Sequence, residues 1–217
     1  MGTITRSFAN NITTSGVLLP ASLTNNSIAN VTAYNASIAT GSMVLLSTGT
    51  ASNSASISFT TGINSTYKEY QFWFIDVHPR TDNVDFQFNL STDSGSNYNV
   101  TKTSTNFRAY HKESDTEAYL EYRDSLDLAQ STSYQPLFLE LGSGADESLS
   151  GSMSLFNPSS TTYVKHFIYN DAGYSGFDNT ANTFVAGYGN TTSAINAVRF
   201  QMSSGNFDGT ILMYGIV

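Results

Sequence analysis

A chain of 217 residues, 40% of them hydrophobic, is long enough to bury roughly 70% of its unfolded surface around one core. Charged residues are only 12% of the chain, about half the usual roughly 25%, and Ser, Thr and Asn together make up roughly a third of it, so hydroxyls and amides keep its surface wet. A net charge of −8 repels a phosphate backbone and an anionic lipid face, and the absence of cysteine removes disulfides, thiolate nucleophiles and Cys-ligated metal centres.

Residues 1–42 carry a single charge, Arg6, in Asn/Thr/Ser-rich text with small apolar islands at Val17-Leu18-Leu19-Pro20, Leu23, Ile28, Val31 and Tyr34. The first residues lack the apolar stretch of an export signal, so Sec-type export is not expected. The islands are too sparse to close a core, and the segment reads as an extended N-terminal arm or tether with at most a short helical turn near Leu23 to Ala33. The alternative is a first strand or two of the domain that follows. The longest apolar runs, Val17-Leu18-Leu19 and Phe72-Trp73-Phe74-Ile75, fall far below the ~18 residues of a membrane span.

From residue 43 onward the text is strand-like, with short segments separated by Gly, Asn, Asp, Ser and Pro clusters. Strands are predicted at Met43–Thr48, Ala55–Thr60, Lys68–His78, Val84–Ser91, Pro136–Leu141, Gly151–Phe156, Tyr163–Tyr169, Phe184–Tyr188, Ile195–Met202 and Thr210–Ile216. Lys68–His78 is apolar on both faces, which predicts a central strand covered twice; His78-Pro79-Arg80 stops it, because proline cannot donate to the ladder. Val84–Ser91 puts Val, Phe, Phe and Leu on one face and Asp, Gln, Asn and Ser on the other, the period-two signature of a half-buried strand. It ends in the turn chemistry of Thr92 to Asn97. Helix competes only in the charged stretch His111 to Asp127, which reads as strand–loop–strand with a short helical turn. The expected fold is all-β: a two-sheet antiparallel β-sandwich of jelly-roll type over residues 43–217.

Catalytic motifs are weak. His78, His111 and His166 share no metal-ligand spacing. Gly173-Tyr174-Ser175-Gly176-Phe177 misses the last glycine of a nucleophile elbow, and Ser65-Thr66-Tyr67-Lys68 is a Ser-x-x-Lys string expected by chance in so Ser-rich a chain. Glycan-cleaving chemistry needs two carboxyl groups about 5–9 Å apart. Asp76, which shares the parity of Tyr70, Phe72 and Phe74, the pair Asp82/Asp85 and the pair Asp146/Glu147 are the candidates; turn hydrogen bonding explains them better. Asp82 to Asp85 and Asp171 to Asp178 do not fit a calcium loop. The glycosylation-like strings at Asn11, Asn30, Asn35, Asn64, Asn89, Asn99 and Asn190 arise from composition. No catalytic, cofactor or metal residue is expected. The 13 tyrosines offer rigid amphipathic faces for sugar stacking or protein contact.

Five strings in order, Ala55–Thr60, Tyr67–Tyr70, Asn89–Tyr98, Gly151–Pro158 and Met202–Ile216, resemble a family of virion structural proteins of tailed bacteriophages, particularly marine ones. The likeness spans about Gly41 to Val217; Phe207-Asp208 before Gly209 departs from the small residue usual there. The resemblance implies a non-enzymatic β-sandwich on the particle, as head decoration or tail fibre, assembled in the host cytoplasm and attached to capsid or tail through the N-terminal arm. It also implies association with other virion proteins and a symmetric homo-oligomer such as a trimer. The alternative is a receptor- or glycan-binding module of a tail fibre.

Overall fold

The computed structural model describes residues 42–217; the expected arm of residues 1–42, with Asn11, Asn30 and Asn35, lies outside them but for Ser42. The described residues form twelve strands and no helix: β1 (Met43–Ser54), β2 (Ser56–Phe59), β3 (Glu69–Pro79), β4 (Val84–Ser91), β5 (Lys102–Lys112), β6 (Ala118–Tyr122), β7 (Gln135–Leu141), β8 (Leu149–Phe156), β9 (Lys165–Ser175), β10 (Asn179–Gly189), β11 (Ala197–Met202) and β12 (Phe207–Ile216). All-β architecture is as expected. Every strand pairing is antiparallel.

Hydrogen bonding links the strands along the path β1-β12-β3-β8-β9-β7-β4-β11-β2, and β9 also carries a branch, β10-β5-β6. β9 and β7 touch through a single bridge, Leu141 with Ser175. β1 and β2 are consecutive in the chain, so the two ends of the path adjoin and the sheet is nearly closed, like a barrel. The expected two-sheet jelly roll is a finer arrangement than this pairing establishes.

Alternation fills the interior. Phe72 and Phe74 of β3 and Phe167 of β9 face inward and meet rings from β2, β4 and β11. Ring centroids lie 5.3 Å apart for Phe72–Phe200, 5.0 Å for Phe74–Phe200, 5.3 Å for Phe74–Phe86 and 5.0 Å for Phe88–Phe167. Most of these pairs are edge-on or tilted, the geometry that sets a ring's positive edge against its neighbour's negative face.

Four expectations are corrected. β3 is not covered twice: Trp73, 42% exposed, and Ile75 lie on its outer face. Asp76 does not sit among the aromatics. A β-bulge shifts the β3–β8 register between Phe74 and Val77, Asp76 takes φ 49°, and the parity flips so that Asp76 is exposed and Val77 buried. Opposite this bulge Gly209 holds φ +134°, where a Cβ would lie 2.8 Å from the Asp76 carbonyl oxygen, so only glycine fits. In β4, Asn89 and Ser91 are buried rather than solvent-facing, because Asn89 Nδ2 donates to the crossing backbone at Tyr98 O (2.7 Å) and Thr132 O (3.0 Å). Finally, residues 102–112 form a strand not expected over that length, while 118–122 pair with it as β6, in keeping with the strand–loop–strand reading of His111 to Asp127 but without its helical turn.

Phe200 touches rings on β2, β3 and β4. Phe200→Ala is expected to cost about 3–5 kcal/mol through lost transfer and an unfilled cavity, read as a lower urea midpoint with unchanged m. Trp73→Ala, on the outer face, is expected to cost about 1 kcal/mol or less.

Candidate binding cleft

β10-β5-β6 branches from β9, off the main path of strands. Along one face of β5 the side chains change character. Lys102, Ser104 and Asn106 are buried, whereas Arg108, Tyr110 and Lys112, on the same face by period two, are half-buried. Across from them stand Glu140 of β7 and, in the β9–β10 turn, Phe177, with Asn179 opening β10. Arg108, Tyr110, Lys112, Glu117, Glu140, Phe177 and Asn179 line a cleft of about 250 Å³.

Local geometry places each group. Glu140 has φ 54° at an irregularity in the β4–β7 register; its N–H donates to Asp85 Oδ1 (3.1 Å) and its carbonyl accepts from Gly176 N (3.0 Å). The β9–β10 turn is thus tied to β7. Arg108 Nε donates to Glu121 Oε1 at 2.8 Å, its guanidinium lies 4.0 Å from Glu140 Oε2, and it rests 4.9 Å over the Tyr110 ring. Arg123 Nη1 also donates to Glu121 Oε1 (2.8 Å), Lys112 Nζ lies 2.9 Å from Glu117 Oε2, and Tyr110 Oη donates to Glu117 (3.2 Å). The two arginines hold the Glu121 carboxyl below the usual range against its desolvation. Charge around the cleft is balanced and internally paired. Asn179 differs: it is 6% exposed, and its buried Oδ1 has no hydrogen-bond partner. Phe177, 51% exposed, offers a ring at the rim.

The residues singled out from the sequence are dispersed. Asp82 Oδ1 accepts from Ser143 N and Asp85 Oδ1 from Glu140 N, both at 3.1 Å, and the Glu147 carboxylate accepts from Gly144 N, so these acids hold loops. His78 Nδ1 lies 2.7 Å from the Glu147 carbonyl, His111 Nε2 is 3.0 Å from Asp115 on the surface, and His166 packs near Tyr188. Ser175 is buried, and its Oγ accepts from Phe177 N (3.2 Å). No hydrogen bond joins Lys68 and Ser65 among the described residues, and Asn157 N donates to the Lys68 carbonyl. Asn89 is too buried for modification, whereas Asn64, Asn99 and Asn190 are exposed. Asp171 is buried and Asp178 ends a turn with φ 53°. Among the described residues no group of three or more His, Asp or Glu converges as a metal site, and no helix is long and apolar enough to cross a membrane. Of all these the cleft gathers only Phe177, the last residue of the Gly173–Phe177 string; its other signal in the sequence is the charged stretch after Arg108.

Reasoning from apolar periodicity also missed a buried polar layer beneath β5, β9 and β10. Gly189 pairs with Lys102 on one side and Lys165 on the other, and both lysines are buried. Lys102 Nζ donates to Asn89 Oδ1 (2.5 Å) and Val100 O (2.9 Å), and Lys165 Nζ donates to Thr191 O (3.0 Å). Desolvation pulls the Lys102 amine down to about 7 and lowers that of Lys165. Asp171 accepts from Tyr169 Oη (2.5 Å) and Thr183 N (2.8 Å), yet burial pushes its carboxyl up to about 7.

These shifts act in opposite directions. A carboxyl raised to about 7 contributes stability that is full below its unfolded value near 3.8 and lost as pH rises through 7. An amine lowered to about 7 contributes stability that is full above its unfolded value near 10.5 and lost as pH falls through 7. Denaturation followed from pH 4 to 10 is expected to show a fall below 7 that Asp171→Asn removes, and a rise above 7 that Lys102→Met removes. Unchanged slopes in both variants would disprove the assignment. Compared with other proteins, this chain matches no family model, no curated protein and no solved structure.

Proposed function

We propose that this chain is a non-enzymatic structural protein of a bacteriophage particle, a jelly roll displayed on the surface and attached to capsid or tail through residues 1–42. One observation carries the reading. Eight of the strands fall into two runs, β1-β12-β3-β8 and β2-β11-β4-β7, and the chain crosses from one run to the other at β1 to β2, β2 to β3, β3 to β4, β7 to β8 and β11 to β12. That alternation is what a two-sheet jelly roll, an architecture of capsid and lectin domains, would require, and so supports the reading. β5-β6 and β9-β10 are then hairpin-like additions that widen one sheet.

Two further features support it. The carboxylates around the cleft are held by cations, which suits binding rather than proton transfer. The outer face of β1, β12 and β3 presents Leu45, Trp73 and Ile75, with Trp73 packed 6.0 Å from Tyr214. Such an apolar area fits contact with neighbouring particle proteins or further copies of the chain. The fold alone does not carry function; the bacteriophage assignment comes from the sequence resemblance.

Antibody raised against residues 42–217 is expected to detect the chain in gradient-purified particles at a fixed copy number. Removing residues 1–42 is expected to release it into the soluble fraction while circular dichroism stays β-type. A chain absent from particles refutes the assignment, and a truncated chain that still co-sediments at full occupancy refutes the role of the arm.

A further inference from the structure

We infer that the cleft between β5, β7 and the β9–β10 turn binds one terminal residue of a neutral glycan. This goes beyond the particle reading and does not depend on it.

The chemistry of the lining selects the ligand. Arg108 and Lys112 are neutralised by Glu121, Glu140 and Glu117 within 4.0 Å, so a charged ligand has to break an existing pair to find a counter-ion. A neutral polyol does not, because its hydroxyls both donate and accept. Carboxylate oxygens accept hydrogen bonds from its hydroxyls while guanidinium and ammonium groups donate to its oxygens, and charge-assisted bonds are the stronger kind.

Asn179 is the second, independent sign. A buried amide oxygen without a partner costs about the desolvation of that group, and such exceptions call for a reason. Asn179 lines the cleft, and we assign the missing donor to a ligand hydroxyl seated against it. The exposed ring of Phe177 adds a flat apolar face, which suits the C–H side of a pyranose. At about 250 Å³ the cleft is smaller than the roughly 300–1,000 Å³ of pockets for drug-sized molecules, room for one sugar ring with the rest of the chain in solvent. Affinity for a single ring is accordingly expected to be on the order of millimolar.

Saturation-transfer NMR on the full chain, with methyl glycosides of glucose, galactose, mannose and N-acetylglucosamine, tests this against sialic acid and glucuronic acid. The expected result is transfer to at least one neutral glycoside and none to the acids. Asn179→Ala and Phe177→Ala are each expected to weaken binding about tenfold or more with an unchanged melting temperature, while Phe184→Ala, on the outer face of β10, leaves it intact. Transfer to no neutral glycoside, preference for the acids, or binding that survives both cleft variants overturns the inference. An Asn179→Ala chain that loses thermal stability gives the amide a folding role and overturns its part in the site. Loss of sugar binding leaves co-sedimentation with particles unaffected, so the two readings fail separately.

Discussion

The fold depends on phenylalanine rings meeting across the interior, with Phe200 in contact with rings of Phe59, Phe72, Phe74, Phe86 and Phe88. Rings of this size bury about 150–250 Å² each, and in a chain with so few ions they supply much of the driving force for closure. β10-β5-β6 branches from β9, off the path of strands that encloses these rings, and there the apolar filling gives way to polar groups. The switch from Phe167 and Tyr169 on β9 to Arg108, Tyr110 and Lys112 on β5 marks that branch, and the cleft lies along it.

Strands with one apolar face were legible in the sequence. The positions of β4 and β11 read correctly because alternation is the physical consequence of a pleated chain with one side buried, although the end of β4 also buries Asn89 and Ser91. The failures have the opposite cause. β5 buries Lys102, Ser104 and Asn106, which bond to Asn89, Gln135 and the Pro136 carbonyl; a strand whose inner face is polar shows no hydrophobic period. β6 contains good helix formers, but Tyr119 packs on Tyr110 with centroids 4.1 Å apart and Glu121 reaches Arg108 across the strands. Cross-strand pairs overrode local propensity. Asp76 was misplaced by a bulge, because one inserted residue inverts every later side chain.

The cleft itself was visible only as a density of charge. About a third of all charged residues fall between Arg108 and Asp127, and they were read as helix competition rather than as one wall of a site. Glu140 and the turn from Phe177 to Asn179 come from distant parts of the chain, and Glu140 reaches the cleft through a backbone irregularity that no spacing rule contains. The unpartnered amide of Asn179 is a property of packing alone. No arrangement of neighbouring letters encodes it.

The positions of the two surfaces bear on how the molecule would work. The apolar area of Leu45, Trp73 and Ile75 lies on the outer face toward β1, at one end of the widened strand run, and the cleft lies on the inner face toward β6, at the other end. They are several strand spacings of roughly 4.8 Å apart and on opposite faces. A chain held by the first therefore leaves the second open to solvent. If the cleft takes one sugar ring and the chain is displayed on a particle, as proposed above, each site is weak by itself, but copies on a common support act at high effective concentration, and simultaneous engagement multiplies affinity by about 10²–10⁴ without a new contact. On that proposal weakness per site is useful, because each contact exchanges quickly while the array as a whole stays bound.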